Sequence, residues 1–178
     1  MARVLPVLTN PDRRLRARST EVDATTLARL RADGVFDDLI ATMRAEDGVG
    51  IAAPQVGIGS RVIIVLDGKT PRVFVNPEIT SRSLRTAVDT EGCLSVPGVV
   101  GLVSRSRAVT LRAQDAQGRP VERKCRDLVA RIVQHEIDHL DGILFIDRAI
   151  RTAELPPLEE NERNAAASKA RKSEDVVL

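Results

Sequence analysis

Gln134-His135-Glu136-Ile137-Asp138-His139 holds the only two histidines of the 178-residue chain. It closes a longer run, residues 126–140 (RDLVARIVQHEIDHL), and the reading of the fold turns on that run. Leu128, Ile132, His135 and His139 recur at helical spacing, so they form one stripe of a single helix. Gly142 follows the last of them, where a left-handed residue ends a helix most easily. On such a helix His135 and His139 stand one turn apart on the same face. Two imidazoles so placed can share one metal ion, and Glu136 between them can handle protons for a metal-bound water. A short H-E-x-x-H match also arises by chance on exposed helices, so the rest of the chain has to decide.

Outward from this helix the pattern changes. Residues 61–66 (RVIIVL) and 108–113 (AVTLRA) read as strands from their β-branched content and alternation. Residues 71–75 suit a short second strand, 79–90 an exposed hairpin or meander, and 91–103 a strand leading into a bent loop. Asp115 to Gly118 marks a turn, with a return strand from Pro120. Upstream, Leu27, Leu30, Val35, Leu39, Ile40 and Met43 recur at helical spacing and predict an N-terminal helix over 24–46, with Asp23 as N-cap and Gly34 as a point of possible breakage. A short helical turn is expected after Asn10-Pro11-Asp12. The expectation is an α+β fold, with antiparallel β-sheets packed around a central helix that carries the H-E-x-x-H motif. Residues 1–157 read as one catalytic domain. The Ala-rich, charged residues 158–178 read as a helical or disordered tail.

Composition removes several classes. The net charge of +2, from 27 basic and 25 acidic residues, makes no case for specific nucleic-acid recognition. Aromatic residues are 2% of the chain, with no Trp or Tyr, so there is no platform for stacking bases. No apolar run approaches the ~20 residues of a membrane span, and the N-terminus lacks a signal-peptide pattern. Two cysteines do not make a secreted disulfide scaffold. A cytoplasmic protein is expected.

A catalytic site of the zinc type takes a third protein ligand, and no third histidine exists. Cys125 lies ten residues before His135, about 15 Å away along a common helix axis, and reads as a buried structural cysteine. Cys93, in the Gly-flanked segment Glu91-Gly92-Cys93-Leu94-Ser95, is the favoured candidate. Glu154, Glu159, Glu160 and Glu162 compete, as in peptidases with two histidines and a glutamate. Residues 48–55 (GVGIAAPQ) are too glycine-rich for a stable helix or regular strand and carry no phosphate-binding signature. They suit a loop whose backbone and Gln55 amide line a peptide site. Leu128 and Ile132 share the face of His135. With Val49 and Gly50 they can form a narrow apolar slot for an unbranched methionine side chain; otherwise they are ordinary core residues.

Taken together, GVGIAAPQ (48–55), EGCLS (91–95) and QHEIDHLDG (134–142), in that order, resemble the peptide deformylase family over about residues 5–147. The resemblance implies that Cys93, His135 and His139 hold the metal, Fe²⁺ with Zn²⁺, Ni²⁺ or Co²⁺ as substitutes. It implies Glu136 as general base and acid, and Gln55 with the backbone N–H of Leu94 as oxyanion donors. The reaction implied is removal of the N-formyl group from the initiating methionine of new polypeptides, releasing formate, with attack by a metal-bound water. Nascent N-formylmethionyl polypeptides and a transient association with the ribosome are the implied partners. Some relatives place a basic residue soon after the EGCLS segment to contact substrate. Residues 96–103 have none, which leaves Arg105 and Arg107 as substitutes for that contact.

Overall fold

A computed structural model describes residues 2–156 of the chain. Four α-helices, α1 (Ala24–Ala32), α2 (Val35–Ala45), α3 (Asp127–Leu140) and α4 (Phe145–Arg148), accompany eight strands. The strands are β1 (Gly50–Ala52), β2 (Val62–Asp67), β3 (Thr70–Arg82), β4 (Thr86–Cys93), β5 (Val96–Ser106), β6 (Ala108–Gln114), β7 (Pro120–Arg126) and β8 (Arg151–Glu154). They form a five-stranded sheet in the order β1-β2-β3-β6-β7 and a three-stranded sheet in the order β4-β5-β8, with every ladder antiparallel.

Strand β2 shows why the larger sheet has helices on both faces. Successive side chains of a strand point to opposite sides. Ile63 and Val65 join Ala130, Ile132, Val133, Ile137 and Leu140 of α3 in one core. Val62 and Ile64 join Leu27, Leu30, Phe36, Leu39 and Met43 of α1 and α2 in another. All four β2 residues are fully buried, and each contributes about 1.5–3 kcal/mol of burial free energy. A third, smaller cluster lies against the three-stranded sheet, where Val96 and Val103 meet Leu15, Leu144 and Phe145. Helix α3 therefore sits between the sheets, and any side chain on its stripe can face strands of either one.

The expected α+β architecture with antiparallel sheets around the H-E-x-x-H helix is the observed one. Five local expectations need correction, the first being the hairpin or meander over 79–90: that stretch joins the end of β3 to β4, and the two lie in different sheets. The single helix over 24–46 is two, because Gly34 adopts a left-handed φ of 71° and separates α1 from α2. Residues 48–55 are not an irregular loop throughout. Gly50–Ala52 pairs with β2, and Ala53–Val56 forms a short 3-10 turn. The strand expected to stop at Val75 continues to Arg82. Its ladder with β6 shifts register around Asn76-Pro77, where a proline cannot donate a ladder hydrogen bond. Strand β8 has no periodic signal and was not expected; it adds an edge to the smaller sheet through Val99–Glu154 to Leu102–Arg151 pairing. The short turn after Asp12 is present as a 3-10 helix, Arg13–Arg16. The tail expected over 158–178 lies outside the described residues.

The N-terminal segment is tied along the body. Arg3 grips buried Asp38 of α2 through its backbone N–H at 2.7 Å and its guanidinium at 2.6 and 3.0 Å. Further on, the Leu8 N–H donates to the Gln55 carbonyl at 2.7 Å and the Asn10 N–H to the Ser95 carbonyl at 2.8 Å. A strap thus backs two of the three motif segments.

Candidate metal centre and its cavity

Helix α3 presents His135 and His139 one turn apart, with ring centroids 5.0 Å apart and planes at 72°. Cys93 ends β4, just before the Leu94-Ser95 turn into β5. Its Sγ lies 3.2 Å from Nε2 of His139, and one donor atom from each of Cys93, His135 and His139 lies within 4.8 Å of the others. Tetrahedral coordination at the usual metal–sulfur and metal–nitrogen lengths sets donors about 3.3–3.6 Å apart. The three side chains would therefore fit a single ion with small adjustment. Among the described residues this is the one cluster of three such donors. Glu154 is exposed on β8 and does not join it. Glu159, Glu160 and Glu162 lie outside the described residues. Cys125 sits on β7 in the core around Val109 and Leu111, where burial raises its thiol pKa.

The electrostatics favour a cation here. Burial pulls the His135 imidazole towards neutrality, but hydrogen bonds to Cys93 and Glu91 and the nearby Glu136 outweigh it and raise its pKa to about 10. A metal ion competes with that proton for the same negative surroundings. His139 is held neutral, by burial first and by the neighbouring His135 second. The Glu136 carboxyl is pushed up to about 7, chiefly by burial, with His135 opposing. Its Oε2 is buried without a hydrogen-bond partner, although Glu136 lines the cavity.

Gln55 is held in one orientation. Its Oε1 accepts from the Ala52 N–H at 2.8 Å, which turns Nε2 towards Ser95 Oγ at 3.2 Å and Cys93 Sγ at 3.7 Å. The amide donor thus faces the space beside the thiol. Leu94, in the adjoining turn, lines the same cavity.

That cavity has a volume of about 400 Å³ and opens to solvent beside the donor cluster. Val49, Gly50, Leu128 and Ile132 all line it. Ile132 is buried, whereas Leu128 is 63% exposed and Val49 47%, so these two form the rim and not the floor. Gly50 has to be glycine for a packing reason. A Cβ there would fall 2.4 Å from Glu136 Oε1 and 2.7 Å from Ile132 Cγ2.

Glu91, Gln134 and Asp138 stand in the motif segments without a role of their own in the sequence reading, and Arg131 stands outside them; the structure supplies their contacts. Glu91 accepts from Arg105 Nε and Nη2 at 3.0 and 2.9 Å, from Arg131 at 2.6 Å and from His135 Nδ1 at 3.0 Å. Burial alone raises its pKa, but His135 and Arg105 bring it down to about 2. Asp138 takes Arg105 on one side and Arg148 of α4 on the other, at 2.6 and 2.7 Å. Gln134 latches α3 to the end of β5, accepting from the Ser106 N–H at 3.1 Å and donating to its carbonyl at 2.9 Å. Arg105 is accordingly an interior residue, and Arg107 forms an exposed pair with Asp127. Neither lines the cavity, so the structure gives no support to either as a substrate contact.

Two imidazoles on a helix, a thiol from a neighbouring strand and a buried carboxyl at the mouth of an open cavity define a metal-dependent hydrolase. The family model described as polypeptide deformylase matches residues 4–154. A peptide deformylase of Pseudothermotoga lettingae is 45% identical over 83% of this chain and 82% of its own. Peptide deformylase 2 of Xanthomonas axonopodis pv. citri is 42% identical over 95% of this chain and 97% of its own. Among solved structures, an actinonin-bound class I type b peptide deformylase from Acinetobacter baumannii superposes with a TM-score of 0.78. It is 44% identical, covering 83% of this chain and 99% of that one. Peptide deformylase from Thermotoga maritima gives a TM-score of 0.79 at 36% identity, over 83% and 99% of the two chains. The chain belongs to the polypeptide deformylase family. Its activity is that of the family, hydrolytic removal of the N-formyl group from newly synthesised polypeptides.

Proposed function

We propose that Cys93, His135 and His139 are the metal ligands and that Glu136 moves the protons of the deformylation reaction. The observation that carries this reading is the buried, unpartnered Oε2 of Glu136, poised at a cavity beside three clustered donors. A mixed thiolate and imidazole set accepts Fe²⁺, Zn²⁺, Ni²⁺ or Co²⁺ without singling one out; we take Fe²⁺ as the native ion from the resemblance to the family alone, with the others as substitutes. When bound, the ion supplies Lewis acidity and lowers the pKa of water in its open position. Glu136 takes a proton from the attacking water and passes it to the leaving amine, a task suited to a carboxyl whose pKa lies near 7. The Gln55 amide and the Leu94 N–H donate to the oxygen that gains charge on the formyl carbon. Val49, Gly50, Leu128 and Ile132 receive the methionine side chain, with Leu128 and Val49 closing over it from the rim.

On this reading residues 1–157 form the catalytic unit and 158–178 a charged extension. The enzyme works in the cytoplasm, with transient association at the ribosome delivering nascent chains. No helix of the described residues is long and apolar enough to cross a membrane.

Anaerobic purification, metal analysis and formate release from formyl-Met peptides test the ligand set. Cys93→Ala should lose both metal and activity. Full metal content in a folded Cys93→Ala variant would overturn the assignment of the thiolate as ligand.

A further inference from the structure

Arg131 lies one helical turn before His135 and has no part in the roles given above. Its guanidinium reaches from α3 to two strands of the smaller sheet, the edge strand β4 and the central strand β5. Nη1 donates to Glu91 Oε1 at 2.6 Å and to the Val103 carbonyl at 3.0 Å, and Nη2 donates to the Ala87 carbonyl at 2.8 Å. Ala87 and Glu91 belong to β4, Val103 to β5. The side chain is only 11% exposed, so these bonds are little diluted by water.

Glu91 is the hinge of this arrangement. One oxygen takes Arg131 and Arg105, and the other takes Arg105 and Nδ1 of His135. A carboxylate with every lone pair engaged has no freedom to rotate, so it fixes the imidazole that donates to it. Two ligands ride on α3, whereas Cys93 stands at the end of β4, two residues beyond Glu91. The donor spacing therefore depends on how firmly a helix is held against a strand of another layer. Arg131 and His135 engage the same carboxylate from successive turns of that helix.

We propose that Arg131 is a positioning residue of the metal centre. It locks Glu91 onto the His135 imidazole and clamps α3 to β4 and β5, which sets the distance from the two histidines to Cys93. Arginine suits the task because its rigid planar fork donates to a carboxylate and two carbonyls at once, which a lysine ammonium on a flexible stem does not do in fixed geometry. A methionine would fill much of the same volume but would leave Glu91 Oε1 and two backbone carbonyls short of donors. The proposal rests on Cys93, His135 and His139 being the ligands.

The test uses the full-length chain stripped of metal, as wild type, Arg131→Met and Arg131→Lys. Each is titrated with Co²⁺, followed by the thiolate-to-cobalt absorption, and metal loss is timed against a chelator. The imidazole Nδ1–H resonance of His135 in the Zn²⁺-loaded protein reports the Glu91 bond directly. Loss of an outer partner of a metal-bound histidine typically weakens metal binding about 10–100-fold. Arg131 acts through that partner, Glu91, so we expect a loss at the lower end of the range, about tenfold, for Arg131→Met, with faster metal release, a shifted or exchange-broadened His135 resonance, and an intermediate Arg131→Lys. Arg131→Met that binds Co²⁺ within threefold of wild type, with an unchanged His135 resonance, would overturn the proposal. If Arg131→Met does not fold by circular dichroism, Arg131→Lys carries the same comparison, and wild-type behaviour in both readouts refutes it. A wild type that binds no Co²⁺ would overturn the ligand assignment and this proposal with it.

Discussion

Replacing Gly50 by alanine should damage catalysis while sparing the metal. Gly50 lies on β1 opposite Val65, and its φ is not among the left-handed ones, so the backbone accepts alanine. The side chain does not fit. Its Cβ would stand 2.4 Å from Glu136 Oε1, 3.0 Å from Glu136 Cδ and 2.7 Å from Ile132 Cγ2. Carbon in contact with another heavy atom prefers about 3.5 Å, so the carboxyl has to retreat by roughly 1 Å. Overpacking of this kind costs about 1–3 kcal/mol. In a domain of this size that lowers Tm by about 2–4 °C per kcal/mol. A 1 Å misplacement of a catalytic group costs about 10²-fold in rate. None of the three proposed ligands supplies one of the three atoms nearest the new methyl group, so metal content should hold. The assay is kcat for formate release from a formyl-Met peptide, measured per bound metal ion, beside a thermal melt. A Gly50→Ala variant with kcat within threefold of wild type and full metal content would refute the claim that glycine is needed to seat Glu136.

On the proposed roles Glu136→Gln removes a proton carrier and not a ligand, so it should retain fold and metal yet lose about 10²–10⁴-fold in kcat; activity within threefold of wild type would end that role. Ile132→Phe should impair turnover of formyl-Met peptides with unchanged metal content, and formyl-Ala peptides should be poor substrates of the wild type, because one methylene alone is worth about 1–3 kcal/mol in an apolar pocket. Equal kcat/KM for the two peptides would show that this slot does not select methionine. The Asp38 carboxyl is held below its usual range, first by the Arg3 guanidinium and then by the Arg3 N–H. A depressed carboxyl stabilises the fold above its unfolded pKa of about 3.9 and loses that contribution as pH falls through the folded value. The Tm advantage of wild type over Asp38→Asn should therefore be constant near neutrality and shrink below about pH 4; an advantage that grows on acidification would contradict the pairing.

How far sequence reasoning reached depended on whether a feature is local. Helix α3 was legible because its stripe, its two histidines and Gly142 all fall within one window. Strand β2 was legible from its β-branched run, although not that each of its faces meets a different helical layer. The continuation of β3 past Asn76-Pro77 was hidden because its ladder is carried by β6, some thirty positions away, and not by its own residues. The same holds at the site. The motifs named Cys93, Glu136 and Gln55, and the structure brings them to one cavity with His135. What Glu91, Asp138 and Arg131 do could not be read, since an acid or arginine in sequence looks solvated until distant partners surround it. Arg105, considered for substrate contact, is buried between Glu91 and Asp138 for that reason.

The N-terminal strap sets an order of events during the chain's own synthesis. Leu8 and Asn10 are made early, but they hydrogen-bond to Gln55 and Ser95, and the segments they brace meet a helix that ends at Leu140. Contacts so far apart along the chain form late, and a domain folds as a unit as it emerges from the ribosome. Cys93, His135 and His139 also appear in that order, so no nascent chain that ends before His139 carries all three clustered donors. On the proposed ligand set, the metal centre can assemble only after nearly all of residues 4–154, the span of the family match, have been translated.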